Sequence, residues 1–271
     1  GAENTAGLRD EREQIEFGTE EPPSAVVVGG GAPLYNRLRG PNQWPETPPE
    51  LRATVLAWLE DMEVLSRELT RALSVSLGFE AEALDGMFSS PHVQAKLAHY
   101  PAQSDSSGVG EDGQSSAGVG LGVGAHSDSG FLTLLLQDEV GGLEVLNSAG
   151  QWVPAPPIPG SIVCNLGEVV QLLSNGAYLS TVHRVQRPCR GRVSAPYFWN
   201  PSLDAVIEPL VLPHSVGSAG AAAGRPSAAS NRLLPSYGMN AFKSLARSHP
   251  LVFARHHPDL RVLADGQVVA T

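Results

Sequence analysis

The segment Gly124-Ala125-His126-Ser127-Asp128-Ser129-Gly130 places an imidazole and a carboxylate two positions apart. On an extended strand, positions i and i+2 project from one face, so both side chains can reach a single ion. An imidazole and a carboxylate joined by a second, distant histidine form the facial set that leaves three neighbouring positions open on iron(II) for a co-substrate and dioxygen. His183, within Thr181-Val182-His183-Arg184-Val185, is the candidate third ligand. H-x-D alone carries little weight, because chance supplies about 0.8 H-x-[DE] matches in a 271-residue chain with 8 His and 28 acidic residues. A second match, His257-Pro258-Asp259, lies in a proline-punctuated tail with no later histidine, and it reads as solvated surface.

The order of parts raises the signal. Arg192-Val193-Ser194 follows His183, and on a strand Arg192 and Ser194 share a face. A guanidinium fork beside a hydroxyl suits a carboxylate, held by two parallel N–H bonds and one further hydrogen bond. Another R-x-S, Arg225-Pro226-Ser227, sits in an Ala/Gly/Ser tract and makes a poor preorganised site.

These residues need a frame. Thr47-Pro48-Pro49-Glu50 has the form of a capping box, and Leu51, Val55, Trp58, Leu59, Met62, Leu65, Leu69, Leu73 and Leu77 then recur at helical spacing up to Gly78, a candidate C-cap. Such a stripe is what any long helix packed on a core would show. From about residue 92 short apolar runs broken by Gly, Pro and Asn predict strands: Val93–Tyr100, Gly120–Ala125, Leu132–Gln137, Leu143–Leu146, Ser161–Leu166, Thr181–Gln186 and Arg192–Trp199. Their number and spacing fit a sandwich or jelly roll. Residues 103–119 and 215–231, dominated by small and polar types, read as flexible insertions within a single domain covering 1–271, whose catalytic core is 92–212. A short helix is expected around Met239–Ser248.

Bulk properties narrow the function. A formal charge of −10 and pI near 5.2 argue against a nucleic-acid surface and favour a small-molecule substrate. With only Cys164 and Cys189 no disulfide framework is possible, which favours a reducing, cytoplasmic setting. No apolar run approaches the roughly 20 residues of a membrane span. Residues 1–22 are rich in charge and show no secretory signal.

The stretch from His126 to Pro201 resembles the isopenicillin N synthase-like family of iron(II)/2-oxoglutarate-dependent dioxygenases, with HSDSGFLTLLLQD and HRVQRPCRGRVSAPYFWNP as its most specific parts. The likeness extends to Ala98-His99-Tyr100-Pro101, to Gly40-Pro41-Asn42-Gln43-Trp44-Pro45 and to Ser236-Tyr237-Gly238. It implies a mainly β fold with flanking helices, a cupin-like double-stranded β-helix packed against the long N-terminal helix. It further implies Fe(II), O2 and 2-oxoglutarate, with Tyr100 helping to bind the co-substrate carboxylate. The activity implied is oxidation, by default hydroxylation, of a small organic metabolite with release of succinate and CO2. Ala98 stands where many members carry Asn, Glu168 stands where Asp is usual, and the family's N-terminal strand and helix are largely missing before residue 7, making 1–46 a partial N-terminal region. Two other readings fit the same residues: a 2-oxoglutarate-independent oxidase of that family, whose Arg-x-Ser grips the substrate instead, and a non-catalytic jelly-roll binding protein.

Overall fold

The computed structural model describes residues 4–5, 8–10, 12–22, 31–102, 121–213, 233–263 and 266–271. The two predicted insertions, 103–119 and 215–231, lie outside the described residues. A small hairpin, β1 (Asn4–Thr5) and β2 (Leu8–Arg9), precedes β3 (Glu13–Gly18), and helix α1 spans Leu51–Ser76. Next come β4 (Pro91–Tyr100), β5 (Leu121–His126), β6 (Leu132–Gln137), β7 (Leu143–Leu146), β8 (Trp152–Pro154) and β9 (Val163–Leu166). A short helix α2 (Glu168–Leu173) leads to β10 (His183–Gln186) and β11 (Arg192–Ser202). Helices α3 (Tyr237–Ser248) and α4 (Pro250–His256) and the hairpin β12 (Leu260–Val262) with β13 (Val268–Ala270) follow.

Two sheets carry the fold, one in the order β3-β4-β11-β6-β9 and the other β5-β10-β7-β8. From β4 to β11 the chain passes back and forth between them, with the hairpin β7-β8 kept within the smaller sheet, which is the winding of a double-stranded β-helix. Between the sheets Ala98 and Tyr100 of β4 meet Val123, Leu143 and Val185 of the smaller sheet in one buried cluster. All seven strand segments expected from the sequence are present, two with the expected ends and five with one or both ends shifted by one to three residues.

The outer face of the larger sheet is covered by α1. Val55, Leu59 and Met62 are buried, and Trp58 meets Tyr197 edge to face with ring centroids 6.0 Å apart. Farther along, the buried positions are Ser66, Thr70 and Ser74, whereas Leu65 is 36% exposed. Bulk explains the switch, because the buried indole of Trp199 lies over this stretch and donates from Nε1 to Thr70 Oγ1 at 3.1 Å. A larger apolar side chain at position 70 would displace the indole and orphan its N–H. The capping box is not formed: no side chain caps the first turn. At the other end Gly78 adopts φ 85°, with Gly78 N bonded to Val75 O and Phe79 N to Ser74 O, a Schellman closure that a left-handed glycine permits.

Strand β3, α2 and the hairpins were not foreseen. The β3 segment reads as a charged tail, yet Phe17 is buried and stacks on Trp44 at 4.7 Å. Asn42 brackets the strand end, accepting from Gly18 N at 2.8 Å and donating to Gly18 O at 3.0 Å. The motif around Trp44 therefore fastens the edge strand to the sheet. Among the described residues no helix is long and apolar enough to cross a membrane.

Candidate active site

His126 ends β5 and is paired across the ladder with His183, the first residue of β10, at a local register shift. Asp128 is not on the strand as expected but in the loop just beyond it. That loop is fixed by the start of α2: Glu168 N donates to Asp128 O at 2.8 Å, Val169 N to Gly130 O at 3.0 Å, and Gly167 N to Phe131 O at 2.9 Å. A side chain at Gly167 would collide with the Gly130 carbonyl, and one at Gly130 with Asn200 Oδ1, so both glycines are required by close approach. Asn200 Oδ1 in turn accepts from Phe131 N at 3.1 Å, and Ser127 Oγ donates to Glu168 Oε1 at 2.7 Å.

One ligand atom from each of His126, Asp128 and His183 lies within 4.8 Å of the others. Asp128 Oδ1 is 3.7 Å from His126 Nε2 and 3.8 Å from His183 Nε2. The protonation pattern is set from behind. His126 Nδ1 donates to Gly124 O at 2.8 Å and His183 Nδ1 to Thr181 O at 3.0 Å, so in the neutral rings both Nε2 atoms carry lone pairs. Asp128 Oδ2 accepts from Thr133 Oγ1 and from Asn165 Nδ2, the latter at 2.8 Å, which leaves Oδ1 turned to the imidazoles. Burial, then the neighbouring His183, depresses the His126 pKa and keeps its ring neutral. Burial opposes ionisation of Asp128, but the two imidazoles, Thr133 and Asn165 outweigh it and hold the carboxyl below its ordinary value. Three acceptors thus converge with no hydrogen between them. Such a set is completed by a cation, and its composition fits ferrous iron.

Arg192 opens β11 and is fully buried. Its guanidinium lies 4.8 Å from the Tyr100 ring centroid, while Nη1 donates to Ser194 Oγ at 3.3 Å and Nη2 to Gln137 Oε1 at 3.1 Å. Nε has no partner, and among the described residues no carboxylate pairs with this cation. A desolvated guanidinium without a counter-charge costs several kcal/mol, about the penalty of any buried lone ion, so this group is poised for an anion. Tyr100 is backed by Gly122, where an added Cβ would stand 2.7 Å from the ring, and its hydroxyl receives Arg12 Nη1 at 3.5 Å.

The structure therefore groups His126, Asp128 and His183 in one cluster and Arg192, Ser194 and Tyr100 in another, both on residues facing the space between the sheets. Thr133, Asn165 and Gln137 were missed. Thr133 and Asn165 are lone polar residues in apolar runs, Gln137 ends such a run just before Asp138 and Glu139, and the inward direction of each becomes apparent only from the strand register. The His257–Asp259 match is no metal site: Asp259 makes a two-pronged pair with Arg37 at 2.8 and 2.7 Å, and His257 packs on Phe242 and Phe253.

Residues 92–201 match the family model described as the 2OG-Fe(II) oxygenase superfamily. A homoarginine-6-hydroxylase of Arabidopsis thaliana is 36% identical over 213 residues, covering 78% of this chain and 60% of the relative. A 2-oxoglutarate-dependent dioxygenase from a Dothideomycetidae species is 37% identical over 221 residues, covering 80% and 56%. The chain thus spans about six-tenths of the length of these relatives. A full-length Neurospora crassa protein, solved in complex with alpha-KG, superposes with a TM-score of 0.68 at 27% identity over 88% of this chain and 67% of that one. The rice dioxygenase for auxin oxidation gives 0.55 at 32% identity over 74% and 60%.

Proposed function

We propose that the chain is a member of the 2OG-Fe(II) oxygenase superfamily, whose model matches residues 92–201, and that it is an iron(II)- and 2-oxoglutarate-dependent dioxygenase acting on a small organic metabolite. The observation that carries this is the pairing of a hydrogen-free cluster of two imidazoles and a carboxylate with a buried guanidinium that lacks a counter-charge. His126, Asp128 and His183 hold the metal, and Arg192 with Ser194 receives the remote carboxylate of 2-oxoglutarate over the Tyr100 ring. Iron held there supplies the activation of dioxygen and the oxidising power that side chains lack.

The chain's own residues do the rest. Gly124 and Thr181 carbonyls fix the two ring orientations, and Thr133 with Asn165 aims Asp128. The apolar cluster of Val123, Leu143 and Val185, with Leu135 and Val163 against it, keeps water from the co-substrate chain. One oxygen atom leaves in succinate, carbon dioxide is released, and the other oxygen enters a carbon–hydrogen bond of the substrate. The free cysteines Cys164 and Cys189 favour a reducing, cytoplasmic location.

Incubation with Fe(II), 2-oxoglutarate and oxygen is expected to release succinate, and omission of any one of the three to stop it. Succinate formation indifferent to iron would refute the assignment. Asn165→Ala is expected to weaken metal binding by about 10- to 100-fold while preserving the melting profile, because it frees one oxygen of Asp128 to rotate. Titration with Fe(II) under anaerobic conditions checks it, and an unchanged affinity would mean that Asn165 does not position the carboxylate.

A further inference from the structure

A third group of polar side chains lies on the same inner sheet face and has no part in the chemistry above. From Thr133, which holds Asp128, the register steps to Phe198 and then to Gln94. Lys96 is two residues along β4 on that face, two strands over from Thr133 and about 12 Å from it at ordinary strand spacing. It pairs in register with Glu16 of β3, and their charged groups are 3.2 Å apart. His249, at the junction of α3 and α4, brings Nε2 to 3.5 Å from the same carboxylate and is anchored through Nδ1 to Ser248 Oγ at 2.8 Å. Lys96 Nζ also lies 5.9 Å from the Phe198 ring centroid. The side chains of Lys96 and His249 are only 13% and 12% exposed.

Glu16 also lines a cavity of about 580 Å³, to which Gly18 and Gln94 contribute from the sheet and Asn36 and Arg39 from the facing segment, while Lys96 stands behind the lining and meets it through its 3.2 Å contact with Glu16. That volume lies in the range of metabolite sites. With its carboxylate 35% exposed, this ion pair adds little to stability, so its placement at a cavity calls for another role. The complement of two fixed opposite charges is a ligand carrying two opposite charges at the same spacing.

Building on the oxygenase reading, we propose that Lys96 and Glu16, steadied by His249, form a subsite for the head group of a zwitterionic α-amino acid. The substrate carboxylate meets Lys96 and its ammonium meets Glu16. The side chain then runs past Phe198 toward the Asp128 end of the sheet. Phe198 supplies an apolar wall between the two ends.

The test measures succinate release from the iron- and 2-oxoglutarate-loaded protein with free α-amino acids, their N-acetyl derivatives and their methyl esters. Calorimetric binding of the same compounds to the loaded protein without oxygen runs beside it. At least one free amino acid should raise succinate release about tenfold over the substrate-free rate, and blocking either end should cost at least about tenfold in binding. Lys96→Met and Glu16→Gln should each raise its KM by about tenfold or more, and Lys96→Glu combined with Glu16→Lys should recover part of the loss. Blocked and free compounds binding equally would overturn the subsite, as would a Lys96→Met loss that is the same for charged and uncharged ligands. Substrate-free succinate release reports the oxygenase reading separately. Its presence with no response to any free amino acid overturns the subsite alone, and its absence overturns both.

Discussion

Asp128→Ala is expected to lower iron-dependent succinate release by at least about a thousandfold, equivalent to about 4 kcal/mol at 1.36 kcal/mol per decade. Asp128 is the only anion among the three convergent groups, and its Oδ1 faces both Nε2 atoms at 3.7 and 3.8 Å. Without it two neutral imidazoles remain, which bind a hard divalent ion weakly and leave its charge uncompensated in a sheltered site. Thr133 Oγ1 and Asn165 Nδ2 lose their acceptor as well, so some destabilisation accompanies the change. Asp128→Asn separates the two effects, because it keeps the volume and one acceptor oxygen while removing the charge. Both variants should lose bound iron, whereas only the alanine variant should melt appreciably lower. Metal analysis together with succinate assay decides it, and near-normal iron content in a folded Asp128→Ala protein would remove the basis of the assignment.

The sequence revealed this cluster because its residue types are scarce and its spacing is periodic. His126 and Asp128 two apart, His183 alone in a β-branched run, and Arg192 two before Ser194 stand out against apolar strands. What the sequence concealed was direction. Thr133 lies between Leu132 and Leu134, and nothing local says that the threonine faces the metal side while the leucines face α1; pairing with Phe198 and Asn165 decides that. In α1, hydrophobicity pointed to Leu65, yet the buried line continues through Ser66, Thr70 and Ser74, because the bulk there is supplied by Trp199 from a strand over a hundred residues away. Glu16 resembles solvated charge until β4 places Lys96 opposite it. The Val169-Val170 run carries strand-like residues, but Gly167 and its bonds to the Asp128 loop start a helix instead. Local pattern fixed the kind of element, and tertiary pairing fixed which face mattered.

Arg192→Met is expected to move function and stability in opposite directions. For co-substrate binding the loss should be large: a buried, forked, charge-assisted carboxylate contact is worth about 2–5 kcal/mol, so the KM for 2-oxoglutarate should rise by about 30-fold or more. Metal affinity should hold, because the guanidinium is tied to Ser194 and Gln137 and touches none of the three candidate ligands. For the ligand-free fold, methionine removes a desolvated cation that has no counter-charge, at the cost of a donor to Gln137 Oε1 and Ser194 Oγ. The first effect equals or exceeds the second, since an unpaired buried charge is at least as expensive as two unmet neutral acceptors. Denaturant titration of the ligand-free variant should therefore show stability equal to or above that of the native chain. Added 2-oxoglutarate should raise the melting temperature of the iron-loaded native protein and leave that of the variant nearly unmoved. Arg192→Lys keeps the charge without the fork and should fall between the two in KM. A variant that loses stability yet keeps its 2-oxoglutarate dependence would make Arg192 a structural cation, and the co-substrate would then need a different anchor.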